Sequence, residues 1–67
     1  MEKRDLLIIE YLSKGFKTTE ISQKLMTEHS IKVSTSLIEK RLKALRTKFQ
    51  AKTLFQLAVI LKNENII

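Results

Sequence analysis

Residues 34–50 read STSLIEKRLKALRTKFQ, and the reading of this stretch decides the fold. At ~100° per residue, Ile38, Leu42, Leu45 and Phe49 fall within one narrow stripe of a helix. The opposite side carries Ser36, Glu39, Lys40, Lys43, Arg46, Thr47 and Gln50, with Arg41 and Lys48 flanking the stripe. Such a helix buries one face and presents cations and hydrogen-bonding groups on the other. Two starts are open. Ser34 followed by Leu37 makes a plain N-cap, and Ser36 with Glu39 fits a capping box.

Working outward, three more helical segments appear. Residues 3–14 place Leu6, Ile9 and Ser13, and also Ile8 and Leu12, at helical spacing, and Gly15 follows as a C-cap. A second segment starts near Thr18, read as its N-cap, and sets Ile21 and Leu25 on one face. The last starts near Thr53 and stripes Leu54, Leu57, Ala58 and Leu61, after which Ile66 and Ile67 fold back onto the core. Residues 26–33 read as a loop with Ile31 and Val33 as buried anchors, and with room for a short extended stretch. Proline is absent and Gly15 is the single glycine, which disfavours an all-β fold of tight turns. The expectation is an all-α, four-helix helix-turn-helix domain with an extended turn between the second and third helices. One domain spans residues 1–67, read as a possible C-terminal piece of a longer regulator.

The net charge of +6 is localised. Residues 1–16, 17–31 and 53–67 each balance to zero. The whole excess lies in 32–52, where Lys32, Lys40, Arg41, Lys43, Arg46, Lys48 and Lys52 face Glu39 alone. A generic solvated coat spreads its charge, whereas a single basic block points to a polyanion. The major groove of DNA admits one helix, and its base edges offer acceptors to Lys and Arg and donors to Glu.

Several classes are disfavoured. With no cysteine there is neither a disulfide framework nor a thiolate metal site, and His29, the lone histidine, reads as solvated. No nucleophile–base set, glycine-rich phosphate loop or carboxylate pair is visible, so the chain reads as a non-enzyme with no metal or cofactor. No apolar run has the ~18 residues of a membrane span and no signal peptide is evident, so a cytoplasmic protein is expected. Tyr11 and Phe16 read as core residues. Phe55 falls off the last helix's stripe and reads either as part of a dimer seam or as a cover for Ile66.

The order of these motifs resembles the LuxR/FixJ-type helix-turn-helix domain, also called the GerE type. Residues 4–15 (RDLLIIEYLSKG) look like the family's opening helix, and residues 18–25 (TTEISQKL) like its N-K-E-I-A-x-x-L segment. Residues 34–41 (STSLIEKR) sit where S-x-x-T-V-K-x-H is expected. Leu45 and Lys48 fall on the I-x-x-K that follows, and Ile66–Ile67 on the common L-I ending. The likeness covers essentially the whole chain. It implies a bacterial transcription regulator binding double-stranded DNA as a homodimer through its last helix, often behind a receiver or sensor domain. Carried over, the base contacts are Glu39, Lys40 and Lys43. The phosphate contacts it implies are Thr18, Thr19, Thr35 and Arg41, and the outward face of the basic helix adds Ser36, Arg46 and Thr47 to that expected set. Phe55, Val59 and Lys62 form the dimer seam. Three departures stand out. Eight residues separate Leu25 from Ser34 where the family's connection is shorter, Leu37 replaces a threonine, and Glu39 stands where lysine is frequent. The alternative from another class is an adaptor whose basic helix docks on an acidic protein partner.

Overall fold

A computed structural model describes residues 2–67, and among these the chain is all-helical, with four helices and no strands. They are α1 (Lys3–Ser13), α2 (Thr18–His29), α3 (Thr35–Lys48) and α4 (Leu54–Asn63). The two central helices, α1 and α3, pack against each other and against both remaining helices, whereas α2 and α4 do not touch each other. Ile8 and Ile9 of α1, Ile21 and Leu25 of α2, Ile38 of α3 and Leu57 and Leu61 of α4 are fully buried at the centre. Leu42, Leu45, Val33, Ala51 and Tyr11 complete the core, and Ile66 and Ile67 pack against it as the tail folds back. Truncating a side chain such as Leu42 to alanine in a core this small costs about 3 kcal/mol.

The start of α3 resolves the two readings of its cap. The Ser34 hydroxyl accepts the Leu37 N–H at 3.1 Å, so Ser34 is the cap and Ser36 and Glu39 are left outside it. At α2 the expected cap, Thr18, is instead the first helical residue. Lys17 holds the extended position before it, and the Glu20 carboxylate reaches back to the Lys17 N–H at 2.9 Å. Half of a capping box thus forms without a hydroxyl.

The stretch 26–33 departs furthest from expectation. Met26 to His29 continue α2 for another turn, leaving only residues 30–34 as the connection. Three interactions hold that turn in place. The Thr27 hydroxyl donates to the Gln23 carbonyl at 3.0 Å, and Lys24 pairs with Glu28 at 3.3 Å. Tyr11 of α1 donates its hydroxyl to Glu28 and lies 3.3 Å from His29 Nε2, so His29 is exposed but engaged. Ser30 then turns left-handed at φ 55°, and the Ile31 N–H closes on the Leu25 carbonyl at 2.9 Å. Val33 and half-buried Ile31 anchor the connection as expected, and Ser22 donates to the Val33 carbonyl at 2.6 Å.

The other three helix ends share one closure. After α1, α3 and α4, a residue at positive φ lets the next N–H reach back five residues. Phe16 reaches Tyr11, Ala51 reaches Arg46 and Ile66 reaches Leu61. The turning residues are Gly15 at φ 94°, Gln50 at φ 56° and Asn65 at φ 59°.

On α1 the buried side differs from the sequence pattern. Ser13 is exposed, while Asp5 is buried at 2% exposure.

Candidate nucleic-acid interface

Because Ile38, Leu42 and Leu45 are buried, the opposite face of α3 is turned outward, and Ser36, Glu39, Lys40, Lys43 and Thr47 on it are exposed. Among the described residues, none of Lys32, Lys40, Lys43, Lys48 and Lys52 forms an ion pair. Their charge is available to a ligand. Lys48 lies 5.8 Å from the Phe49 ring centre, a position that covers the ring and leaves the ammonium at the surface.

The arginines behave differently from the lysines. Arg41, expected on phosphate, is turned to the core side. Its Nε donates to Asp5 Oδ1 at 3.1 Å and its Nη2 to Oδ2, a bidentate pair across the two central helices. The pair holds the guanidinium above its ordinary pKa, first through these hydrogen bonds and then through the carboxylate's charge. A carboxylate as buried as Asp5 requires such a partner. Arg41 is thus the clamp between α1 and α3, with its side chain 35% exposed. Arg46, the other arginine expected on phosphate, donates from Nη2 to the Lys52 carbonyl at 2.6 Å and so closes the turn after α3. Thr47 spends its hydroxyl proton on the Lys43 carbonyl at 3.1 Å.

A shallow groove of ≈ 220 Å³ lies between the start of α2, α3 and the start of α4, lined by Thr18, Glu39, Leu42, Lys43, Arg46 and Leu54. It brings together residues from both halves of the expected contact set. Thr18 sits in the first turn of α2, whose free N–H groups and dipole favour an anion, and Lys43 and Arg46 face it from α3. Thr19 is exposed one residue on. Thr35 and Ser36 sit in the first turn of α3, half-buried and exposed respectively.

No family model matches the chain, and no curated protein or solved structure matches it either. The functional reading therefore rests on this chain's own residues.

Lys17, Lys32 and Lys52 belong beside the expected set as exposed, unpaired cations at the ends of α2 and α3. Their charge was visible in the sequence, but their exposure and lack of an ion pair needed the fold. Asp5 had no local signal, because its partner lies 36 residues away.

A second surface lies between α1 and α4, and Leu54 lines both it and the groove beside α3. Leu12, Ser13, Leu54, Phe55, Ala58, Val59 and Lys62 line an apolar groove of ≈ 340 Å³. Phe55 is 81% exposed and Val59 42%, so Phe55 does not serve as a cover for Ile66. Among the described residues no helix is long and apolar enough to cross a membrane.

Proposed function

We propose that this chain binds double-stranded DNA as the DNA-binding domain of a transcription regulator, with α3 entering the major groove. The observation that carries the reading is the outward face of α3. Lys40 and Lys43 stand there unpaired opposite the buried stripe Ile38–Leu42–Leu45, with unpaired Lys32 before the helix, Lys48 in its last turn and Lys52 after it. The sequence places the entire +6 excess in this segment. In this reading Lys40, Lys43 and Glu39 meet base edges. Thr18, Thr19, Thr35, Ser36 and the flanking lysines meet phosphates, aided by the first turns of α2 and α3. The chain pairs with a second copy through Phe55, Val59 and Lys62, since an exposed aromatic beside an apolar groove is the feature a self-complementary seam uses.

The test is a two-dimensional NMR titration with a mixed-sequence duplex and, separately, with an acidic protein fragment of equal charge. Duplex DNA is expected to shift amide peaks of residues 36–48 together with those of Thr18 and Thr19. Shifts on the same residues from the acidic protein and none from the duplex would move the function to a protein-docking adaptor.

A further inference from the structure

We infer that Glu39 selects the base sequence, favouring a cytosine at one position of the bound duplex. This rests on the proposed DNA binding by α3. Glu39 is the single carboxylate of the 32–52 segment. It is exposed, and it makes neither an ion pair nor a side-chain hydrogen bond among the described residues, although Lys40 and Lys43 are close in sequence. Its one local structural task, closing a capping box with Ser36, is absent because Ser34 caps the helix. Glu39 instead lines the groove to which Lys43 and Thr18 also contribute.

A free carboxylate on a surface facing a polyanion weakens attraction to every sequence alike. That cost is offset only where the carboxylate meets a hydrogen-bond donor. In the major groove guanine and thymine present acceptors, which repel it. Adenine presents its N6 amino group beside the N7 acceptor. Cytosine presents the N4 amino group with no acceptor of its own alongside, so it fits the carboxylate best. Lys43 lies four residues further along the same edge of the helix and carries the opposite preference, for guanine O6 and N7. One helical turn of ~5.4 Å spans about one and a half base steps of ~3.4 Å. Glu39 and Lys43 thus read a cytosine and a guanine within one or two base pairs of each other.

The experiment is in-vitro selection from a random duplex library with the wild-type chain, Glu39→Gln and Glu39→Ala, together with a titration of each on a fixed non-cognate duplex. The wild type is expected to enrich cytosine at one position by roughly tenfold. Glu39→Gln should move that position to adenine, because an amide can donate to N7 and accept from N6. Glu39→Ala should lose preference there, keep the other positions, and bind the non-cognate duplex more tightly. Identical base preferences for all three proteins would overturn the role of Glu39 while leaving DNA binding intact. Tight duplex binding by the wild type with no base preference would do the same. Absence of duplex binding by all three would remove the DNA-binding reading itself, and the selector with it.

Discussion

At the scale of single residues, two long-range contacts set how the helices meet. The Asp5–Arg41 pair joins the central helices, with the carboxylate 2% exposed and the guanidinium partly open to water. Removing one partner strands the other, whereas an exposed lysine can be removed with little loss of stability. Arg41→Ala and Asp5→Ala are each expected to lower the melting temperature by several degrees, and Lys40→Ala to leave it unchanged. Thermal melts followed by circular dichroism check this; equal melting temperatures for all four proteins would show that the clamp contributes nothing. The second contact is Tyr11 on Glu28. The Tyr11 hydroxyl, and after it Lys24, hold the Glu28 carboxylate below its ordinary 4.5. A carboxyl group depressed in the folded chain contributes stability that is present above its unfolded value and lost as pH falls through its folded value. Tyr11→Phe should therefore cost more stability at about pH 6 than at about pH 3. Paired melts at the two pH values measure the difference, and a gap that does not shrink on acidification would place the stabilisation elsewhere. Neither contact was legible in the sequence, since the partners lie 36 and 17 residues apart and no periodicity links them.

At the scale of elements, the helices were legible wherever an apolar stripe repeats, as at Ile38–Leu42–Leu45 and Leu57–Leu61. Their ends were legible only where a marker residue stands. Gly15 announced the end of α1, but α3 and α4 close through Gln50 and Asn65, which adopt positive φ without a glycine. The extra turn of α2 was invisible for a related reason. Met26, Thr27, Glu28 and His29 are all exposed and carry no stripe, and the turn is held by hydrogen bonds and an ion pair. Gln50 is exposed and bears a side chain in a backbone region that costs it about 1 kcal/mol relative to glycine. Gln50→Gly is expected to raise stability by up to that amount, measured by urea denaturation. A loss of stability would mean that the Gln50 side chain makes contacts worth more than the backbone relief. The candidate site was half legible at this scale. The face of α3 followed from the sequence, but which cations remain free did not, because Asp5 and the Lys52 carbonyl take Arg41 and Arg46 from other elements.

At the scale of the molecule, the fold offers two surfaces of different character. The cationic face of α3 has the first turn of α2 beside it, and the apolar groove with Phe55 lies between α1 and α4, with Leu54 lining both grooves. A DNA-binding dimer uses both, one for the duplex and one for the second copy. Phe55→Lys leaves the core untouched, because the ring is 81% exposed. It should convert a dimer to a monomer in sedimentation experiments and weaken binding to a two-half-site duplex more than to a single half-site. Equal sedimentation of the two proteins would remove Phe55 from the seam.

The central claim is that the free lysines around α3 neutralise DNA phosphates and that Arg41 does not. Its most direct measurement is duplex affinity against salt concentration for the wild type, Lys48→Ala and the charge-removing Arg41→Gln, each checked as folded by circular dichroism. Each phosphate contact contributes about 0.9 to the slope of log affinity on log salt. The expected result is a steep fall in wild-type affinity with salt, a slope shallower by about one contact for Lys48→Ala, and an unchanged slope for Arg41→Gln, whereas a slope shallower by about one contact for Arg41→Gln would put Arg41 back on phosphate. Affinity that does not depend on salt, or no binding to any duplex at about 50 mM salt, would contradict the claim.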